Sequence, residues 1–251
     1  MKIVAAFKVV PDDQDIQVLQ DGSLDYSKAK GVVSAYDLNA LEFSARLAAE
    51  TAGSVTAVSV GPASIDDPKL KKNVLARGID ELVMAADDRY GDLDAHAAAE
   101  ALAVLVGNAA PFDLVVCGGG SADNYAQQVD IQLAAKLGLP VVNGVTKAEV
   151  GASSLVVERV TEQAVETIEV PLPAVVSVLP DAAEPRIPGM KDILAAGKKP
   201  MSTVDAGAPA ARAVEVASCK APKGAERKLE VLDASDDGAI ERFAAALKAS
   251  L

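Results

Sequence analysis

Tryptophan is missing from this sequence, histidine occurs once, cysteine twice, and aromatic side chains make up only 3% of the 251 residues. The cysteines, Cys117 and Cys219, lie far apart and in no metal-ligand spacing, which excludes a disulfide scaffold or a zinc cluster and points to a reducing cytoplasm. The single histidine, His96, falls in the alanine-rich stretch "DAHAAAEALAVLVGN" (94–108) and reads as a surface or interface residue rather than a base. No serine or cysteine stands in a nucleophile context, and no acidic cluster has metal spacing. The chain therefore reads as a binder without proton-transfer or covalent apparatus. Long apolar runs are absent too: none approaches a membrane-spanning length, and the opening "MKIVAAFKVVPDDQD" has no signal-peptide cleavage pattern. Positive charge is scarce, with 24 Lys and Arg against 36 Asp and Glu and a net charge of −12. That balance argues against a general grip on nucleic acid or on an anionic membrane, leaving proteins and small molecules as expected partners.

What is present is a repeating alternation. Short apolar, β-prone runs at 2–10, 54–61, 81–85 and 113–118 are separated by Ala/Leu-rich helical stretches, the one-dimensional pattern of a parallel sheet covered by helices. One helix is predicted to begin between Ser34 and Asp37, a Ser-x-x-Asp arrangement suited to capping, and to run to about Thr51. Another starts after Asp66 and Asp67 with Pro68 in its first turn. Further helices are predicted over 94–108 and 124–138, the last ending at Gly138 with Pro140 beyond. From about residue 140 the pattern changes: 155–179 alternates like antiparallel strands, with Glu162 and Gln163 near a turn, and ends in the buried run "AVVSVL". A proline-rich loop and a short helix follow. The division expected is a nucleotide-binding α/β domain over 1–199 and a C-terminal arm and helix over 200–251. The arm is too poor in bulky apolar residues to bury itself, which favours an arm lying on another protein over free disorder.

"VVCGGGSADNYAQQV" (115–129) is the first candidate site. Ligands of open parallel sheets settle beyond the carboxyl ends of the strands, and Gly118, Gly119 and Gly120 would let backbone approach a phosphate or a ring there. Ser121 and Asp123 could cap the next helix or hold a ribose hydroxyl. The competing reading is a tight strand-to-helix turn, and neither the P-loop nor the dinucleotide fingerprint is matched. Ser34, Tyr36 and Asp37, where the first helix begins, form a second candidate near the same end of the sheet.

Several stretches together resemble one family. "VERVTEQAVETIEVPLPAVVSV" (157–178) is similar to the signature of the β subunit of electron transfer flavoproteins, matching at Glu158, Arg159, Glu166, Thr167, Pro173, Ala174, Val175 and Val176. It departs from that signature at the turn, Glu162-Gln163-Ala164. "KIVAAFKVVPDDQDI", "SAYDLNALEFSARL", "AVSVGP", "CGGGSADNYAQQV" and "EPRIPGMKDILAAGKKP" appear in the family's order, and "DGSLDYSKA", "PVVNGV" and "IPGMK" resemble the FixA-type branch.

The resemblance implies an adenine nucleotide α-hydrolase-like (Rossmann-like) core with helices on both faces, an antiparallel hairpin addition and a C-terminal arm wrapped on an α subunit. It implies an electron carrier rather than an enzyme, in a heterodimer whose FAD is carried mainly by the α subunit. AMP, or a second FAD in a bifurcating form that oxidises NADH, would occupy this chain. The positions carried over for that nucleotide are Ala6, Ser34, Ala35, Tyr36, Asp37, Val60, Gly118, Gly119, Gly120, Ser121, Asp123, Asn124, Tyr125, Ala126, Gln127, Gln128 and Val129. Gly119 and Gly120 replace larger residues of the AMP-binding loop, and Tyr125 an acidic one. Tyr36 matches an aromatic that approaches the α-subunit flavin, while its usual companion is Asp13 here. Ile187, Pro188 and Met190 fall in the loop that offers an apolar anchor to acyl-CoA dehydrogenase or reductase partners, against the plainer reading of Met190 packed inside a helix start. A nucleotide-binding stress-type protein would share the fold but has no use for the hairpin signature or the arm. A hydrolase lacks its nucleophile.

Overall fold

The computed structural model describes residues 1–224 and 229–250. Its strands are β1 (Lys2–Ala6), β2 (Val9–Pro11), β3 (Gln17–Val18), β4 (Leu24–Asp25), β5 (Gly31–Val33), β6 (Ser54–Gly61), β7 (Glu81–Ala86), β8 (Leu114–Gly118), β9 (Val141–Val150), β10 (Ser154–Val160), β11 (Val165–Pro171), β12 (Ala174–Val178) and β13 (Met201–Thr203). The helices are α1 (Ala35–Glu50), α2 (Pro68–Leu75), α3 (Ala95–Asn108), α4 (Val129–Leu137), α5 (Met190–Ala196) and α6 (Ala239–Ser250). Nine strands form one sheet in the order β11-β10-β9-β12-β8-β1-β6-β7-β13. Its strands from β9 to β13 along that order run parallel, and β10 and β11 add an antiparallel hairpin on β9.

Alternation along each strand feeds two cores. Ile3 and Ala5 of β1 and Leu114 and Val116 of β8 pack on one face with Leu41 and Leu47 of α1 and Val74 of α2. Val4, Val115 and Cys117 pack on the other with Leu102 and Leu105 of α3 and Leu133 of α4. A sheet buried on both faces needs apolar residues at successive positions, hence the continuous runs in the sequence. The expected α/β fold, a mostly parallel sheet with helices, is what the chain adopts.

Local signals hold at three helix ends. Asp67 accepts from the amides of Lys69 and Leu70, Asp94 from that of Ala97, and Gly138 closes α4 at φ 66°. Elsewhere the structure corrects the sequence reading. The run 2–10 divides into β1 and β2, and β2 leaves the main sheet to pair with β5. Strand β9, not foreseen, separates the hairpin from β12, which itself lies parallel between β8 and β9. Helix α4 begins at Val129 rather than 124, because Tyr125 and Gln127 take left-handed backbone (φ 44° and 55°) that no helix tolerates.

Two compact units are distinguished, Met1–Gln17 with Asp25–Ser218, and Val18–Leu24 with Cys219–Leu251. The boundary expected at 199/200 falls inside the first, since β13 pairs with β7 as an edge strand. Within the second unit, α6 exposes Ile240, Phe243 and Leu247. Among the described residues no helix is long and apolar enough to cross a membrane.

Candidate functional site

The chain runs from β1 outward to β6 and β7, then returns to β8 on the other side of β1. The connections leaving β1 and β8 therefore diverge, and the crevice between them is the switch point where open α/β sheets bind ligands. Every position expected to hold a nucleotide lies on these strand ends or the segments beyond them. Ala6 is buried and Val60 half-buried at the ends of β1 and β6. Ser34 to Asp37 start α1, and Gly118 to Gln128 lead from β8 to α4.

Hydrogen bonds tie the two segments together. Asp37 Oδ2 accepts from the Lys8 amide at 2.8 Å, and the Gly118 amide also donates to this carboxyl. Ser34 was expected to cap α1, but its hydroxyl makes no capping bond and instead accepts from the Ala122 amide at 3.2 Å. Ser121 and Asp123 do not cap α4 either. Asp123 takes the Lys8 ammonium at 2.5 Å and the Ser121 hydroxyl, and the helix starts at Gln128 without a side-chain cap. Burial would push the Asp123 carboxyl up, yet these partners hold it below its ordinary value. The Tyr36 and Tyr125 rings meet with centroids 5.0 Å apart. Ala35, Asn124, Ala126, Gln127 and Gln128 are exposed.

The glycines also permit close packing within the protein itself. A Cβ on Gly118 would meet the Asp37 carboxylate and the backbone of Tyr36; on Gly119, the Val178 carbonyl at 3.3 Å; on Gly120, the Tyr125 ring at 2.6 Å. At each of the three the place of a Cβ is taken by the protein's own atoms. The surfaces left for a ligand are the exposed amides and amide side chains before α4, whose first N–H groups have no intrahelical acceptor.

Asp37 is only 6% exposed, and burial pushes its carboxyl up to about 7, against the Lys8 and Gly118 amides and the Lys8 charge, which pull it down. A folded value above the ordinary 3.8 means that the fold holds this proton more tightly than the unfolded chain does. The group therefore favours folding fully below about pH 4 and loses that contribution as pH rises through about 7. The unfolding free energy should fall through this group by up to about 1.4 kcal/mol per pH unit inside that window. Urea unfolding at pH 5 and pH 8 checks the sign: the wild type should lose more stability between the two than Asp37→Asn. Parallel losses would place Asp37 in its ionised form throughout.

Several participants were not singled out from sequence. Lys8, two residues past β1, bonds both segments but carries no motif. Cys117 behind the site is buried, and burial together with the Asp130 and Asp37 charges raises its thiol well above the usual range, so it stays inert. Beside the loop, Gly119 and Gln127 also wall a cavity of about 270 Å³ with Asp130, Asn143, Arg159 and Ser177. The His96 side chain is half-buried in the first turn of α3. Among the described residues no group of His, Cys, Asp or Glu is arranged to hold a metal ion.

Ile187, Pro188 and Met190 lie at a separate place, before and at the start of α5. Met190 is 74% exposed, which overturns the reading of a side chain packed inside the helix start; Ile187 and Leu194 are exposed beside it. The root of this loop is fixed. Arg186 donates to Glu42 from Nε at 2.6 Å and from Nη2 at 3.2 Å, Arg77 donates to the Arg186 carbonyl at 2.7 Å, and Arg46 to the Glu184 carbonyl at 2.9 Å.

A family model described as the electron transfer flavoprotein domain matches residues 22–210, a span holding α1, β8, the loop before α4, the hairpin and the Met190 segment. The chain thus belongs to the electron transfer flavoprotein family, whose members bind flavin and carry electrons rather than act as enzymes.

Proposed function

We propose that this chain is the β-type subunit of a heterodimeric electron transfer flavoprotein, of the FixA-type branch. In this reading it holds an adenine nucleotide, AMP or FAD, between Ala6, Val60 and the Ser34–Asp37 and Gly118–Val129 segments. The redox FAD is carried mainly by an α partner. The observation that carries the reading is the convergence of the two segments at the switch point, tied by Asp37 and Lys8, within the region that matches the family. The residues fit the group. Exposed amides and the Asn124, Gln127 and Gln128 side chains stand before the amino end of α4, where phosphate oxygens are favoured. Ala6 and Val60 bring small apolar side chains to the ends of β1 and β6, where an adenine ring would lie in this reading.

The remaining surfaces are assigned by the same reading. The amphipathic face of α6, with Ile240, Phe243 and Leu247, packs on the α subunit together with the arm that precedes it. Met190 and Ile187 dock transiently on an acyl-CoA dehydrogenase or reductase type of redox partner, where one flexible thioether anchor in a pocket supplies much of the binding. When bound, the flavin supplies the electron transfer, and the protein positions it and selects its partners.

Co-expression with an α-type subunit tests this. The two chains are expected to co-purify as a yellow one-to-one complex, and acid extraction should release at least one adenine nucleotide per β chain in addition to the α-bound FAD. A chain that ignores the α subunit and yields a colourless preparation would sink the proposal.

A further inference from the structure

Charge is unevenly spread over this acidic chain. The segments 66–77 and 184–199, which hold α2 and α5, carry eight Lys and Arg against four Asp and Glu, whereas the remaining residues carry sixteen against thirty-two. The two helices pack on each other. Lys199 Nζ donates to the Leu75 and Ile79 carbonyls at 2.9 and 2.6 Å and so closes the end of α2. The Lys72 side chain runs beside Gly197, its Cε 3.8 Å from where a Cβ would stand there. Positive charge thus collects beside the segment that presents Met190.

Much of that charge is unspent. Lys71 pairs with Asp66, while Asp67 and Asp192 accept backbone amides at the starts of α2 and α5. Lys69, Lys72, Lys191 and Lys198 are exposed, and among the described residues their ammonium groups have no partner. At the loop root Arg46 and Arg186 both bond the single Glu42 carboxylate. Arg77 donates only to neutral oxygens, from Nε to Asn73 and from Nη1 to the Arg186 carbonyl. Burial pulls the Arg77 guanidinium below its ordinary value, Glu42 opposes this, and the Arg186 charge adds to the pull.

The apolar part of this surface is narrow. Ile187, Met190 and Leu194 are exposed, with Met190 and Leu194 one turn apart on α5. Lys191 stands one turn before Leu194, and Lys198 follows just past the helix end. An apolar ridge edged by free lysines complements a pocket with an acidic rim: the ridge enters the pocket and rim carboxylates meet the ammonium groups. The remainder of the chain, with two acids for every base, repels such a partner, so the basic face draws it in and sets its orientation.

We infer that the docking surface extends from the Met190 loop onto α2, and that it takes a redox protein whose pocket is rimmed by carboxylates, with Lys69 and Lys72 steering its approach. The inference rests on the docking of Met190 proposed above and adds to it a helix outside the loop and the chemistry of the partner.

The test is the second-order rate of electron exchange between the purified complex with its α subunit and an acyl-CoA dehydrogenase, followed by stopped flow. The wild-type rate should fall at least about tenfold between about 20 and 300 mM NaCl, as screening sets in. A Lys69→Gln, Lys72→Gln double variant should be about 3- to 10-fold slower at low salt and converge on the wild type at high salt, with flavin content and urea midpoint unchanged. Met190→Ala should be slower throughout, with the wild-type dependence on salt. A wild-type rate that is flat or rises with salt refutes the steering role, as does a double variant that tracks the wild type or lags equally at every salt. In those cases a slow Met190→Ala leaves the loop as the docking element. If Met190→Ala also has no effect, or no electrons pass, the docking reading itself falls.

Discussion

Replacing Arg186 with alanine is expected to lower stability by about 1–2 kcal/mol and to slow electron delivery to the redox partner. The carboxylate of Glu42, on α1, is 5% exposed and accepts bonds from the Arg186 guanidinium, the Arg186 amide and Arg46 Nε. Burial alone would raise the Glu42 carboxyl; the Arg186 and Arg46 bonds outweigh it and hold the group below its ordinary value. In turn the Glu42 bond raises the Arg186 guanidinium further. Breaking a fully buried ion pair costs about 3–5 kcal/mol, but the Arg186 side chain is 41% exposed and water screens the pair. Arg46 also remains beside Glu42, which places the expected loss at about 1–2 kcal/mol. The loop root keeps the grip of Arg77 and Arg46 on the carbonyls of residues 186 and 184 but loses its side-chain tie to α1, so the Met190 segment is held less firmly. Met190→Ala separates the two effects: at an exposed position it should leave the urea midpoint unchanged and slow delivery alone. An Arg186→Ala protein that unfolds at the wild-type urea concentration would show that Glu42 does not hold this loop.

The core was legible in the sequence because it depends on nearest neighbours and on periodicity. Continuous Val, Ala and Ile runs at β1, β6 and β8 betray strands covered on both faces, and Asp67 and Gly138 mark helix ends through bonds that span a few residues. What was missed depends on distant contacts. The segment at β9 reads "VVNGV", and Asn-Gly suggests a turn, whereas here it forms a bulge set by two flanking strands. Strand β13 has three residues, too few for a pattern, and exists through pairing with β7. Tyr125 and Gln127 give no sign of left-handed backbone, so the start of α4 was placed five residues early. The expected nucleotide positions come together at the strand ends, but the bonds among them were not legible: Ser34 suits a cap by its spacing, and only the return of β8 beside β1 hands its hydroxyl to Ala122.

The same contrast decides what the glycines of the loop do, and Gly118→Ala against Gly120→Ala makes it measurable. At Gly118 an added methyl would lie 2.9 Å from the Tyr36 carbonyl carbon and 3.0 Å from its oxygen, and closer still to Asp37 Oδ1. Those atoms belong to the first turn of α1, which cannot withdraw, since Ala40, Leu41 and Ser44 are fully buried against the sheet. Overpacking of a rigid site costs about 1–3 kcal/mol, and a clash with backbone belongs at the upper limit. Gly118→Ala is therefore expected to lose about 3 kcal/mol, to part β8 from α1 at the Asp37 bonds, and to leave the purified protein depleted of adenine nucleotide. At Gly120 the methyl would meet only the Tyr125 ring, at 2.6 and 2.7 Å, and that side chain is exposed and can swing outward. Its cost should stay near 1 kcal/mol, with the Tyr36–Tyr125 contact broken and nucleotide largely retained. Urea midpoints and the nucleotide released per chain distinguish the two variants. Equal shifts would mean that the crevice between β1 and β8 yields as readily at its backbone as at its rim, and the rigid junction built from Asp37, Lys8 and Gly118 would no longer account for how these segments are held.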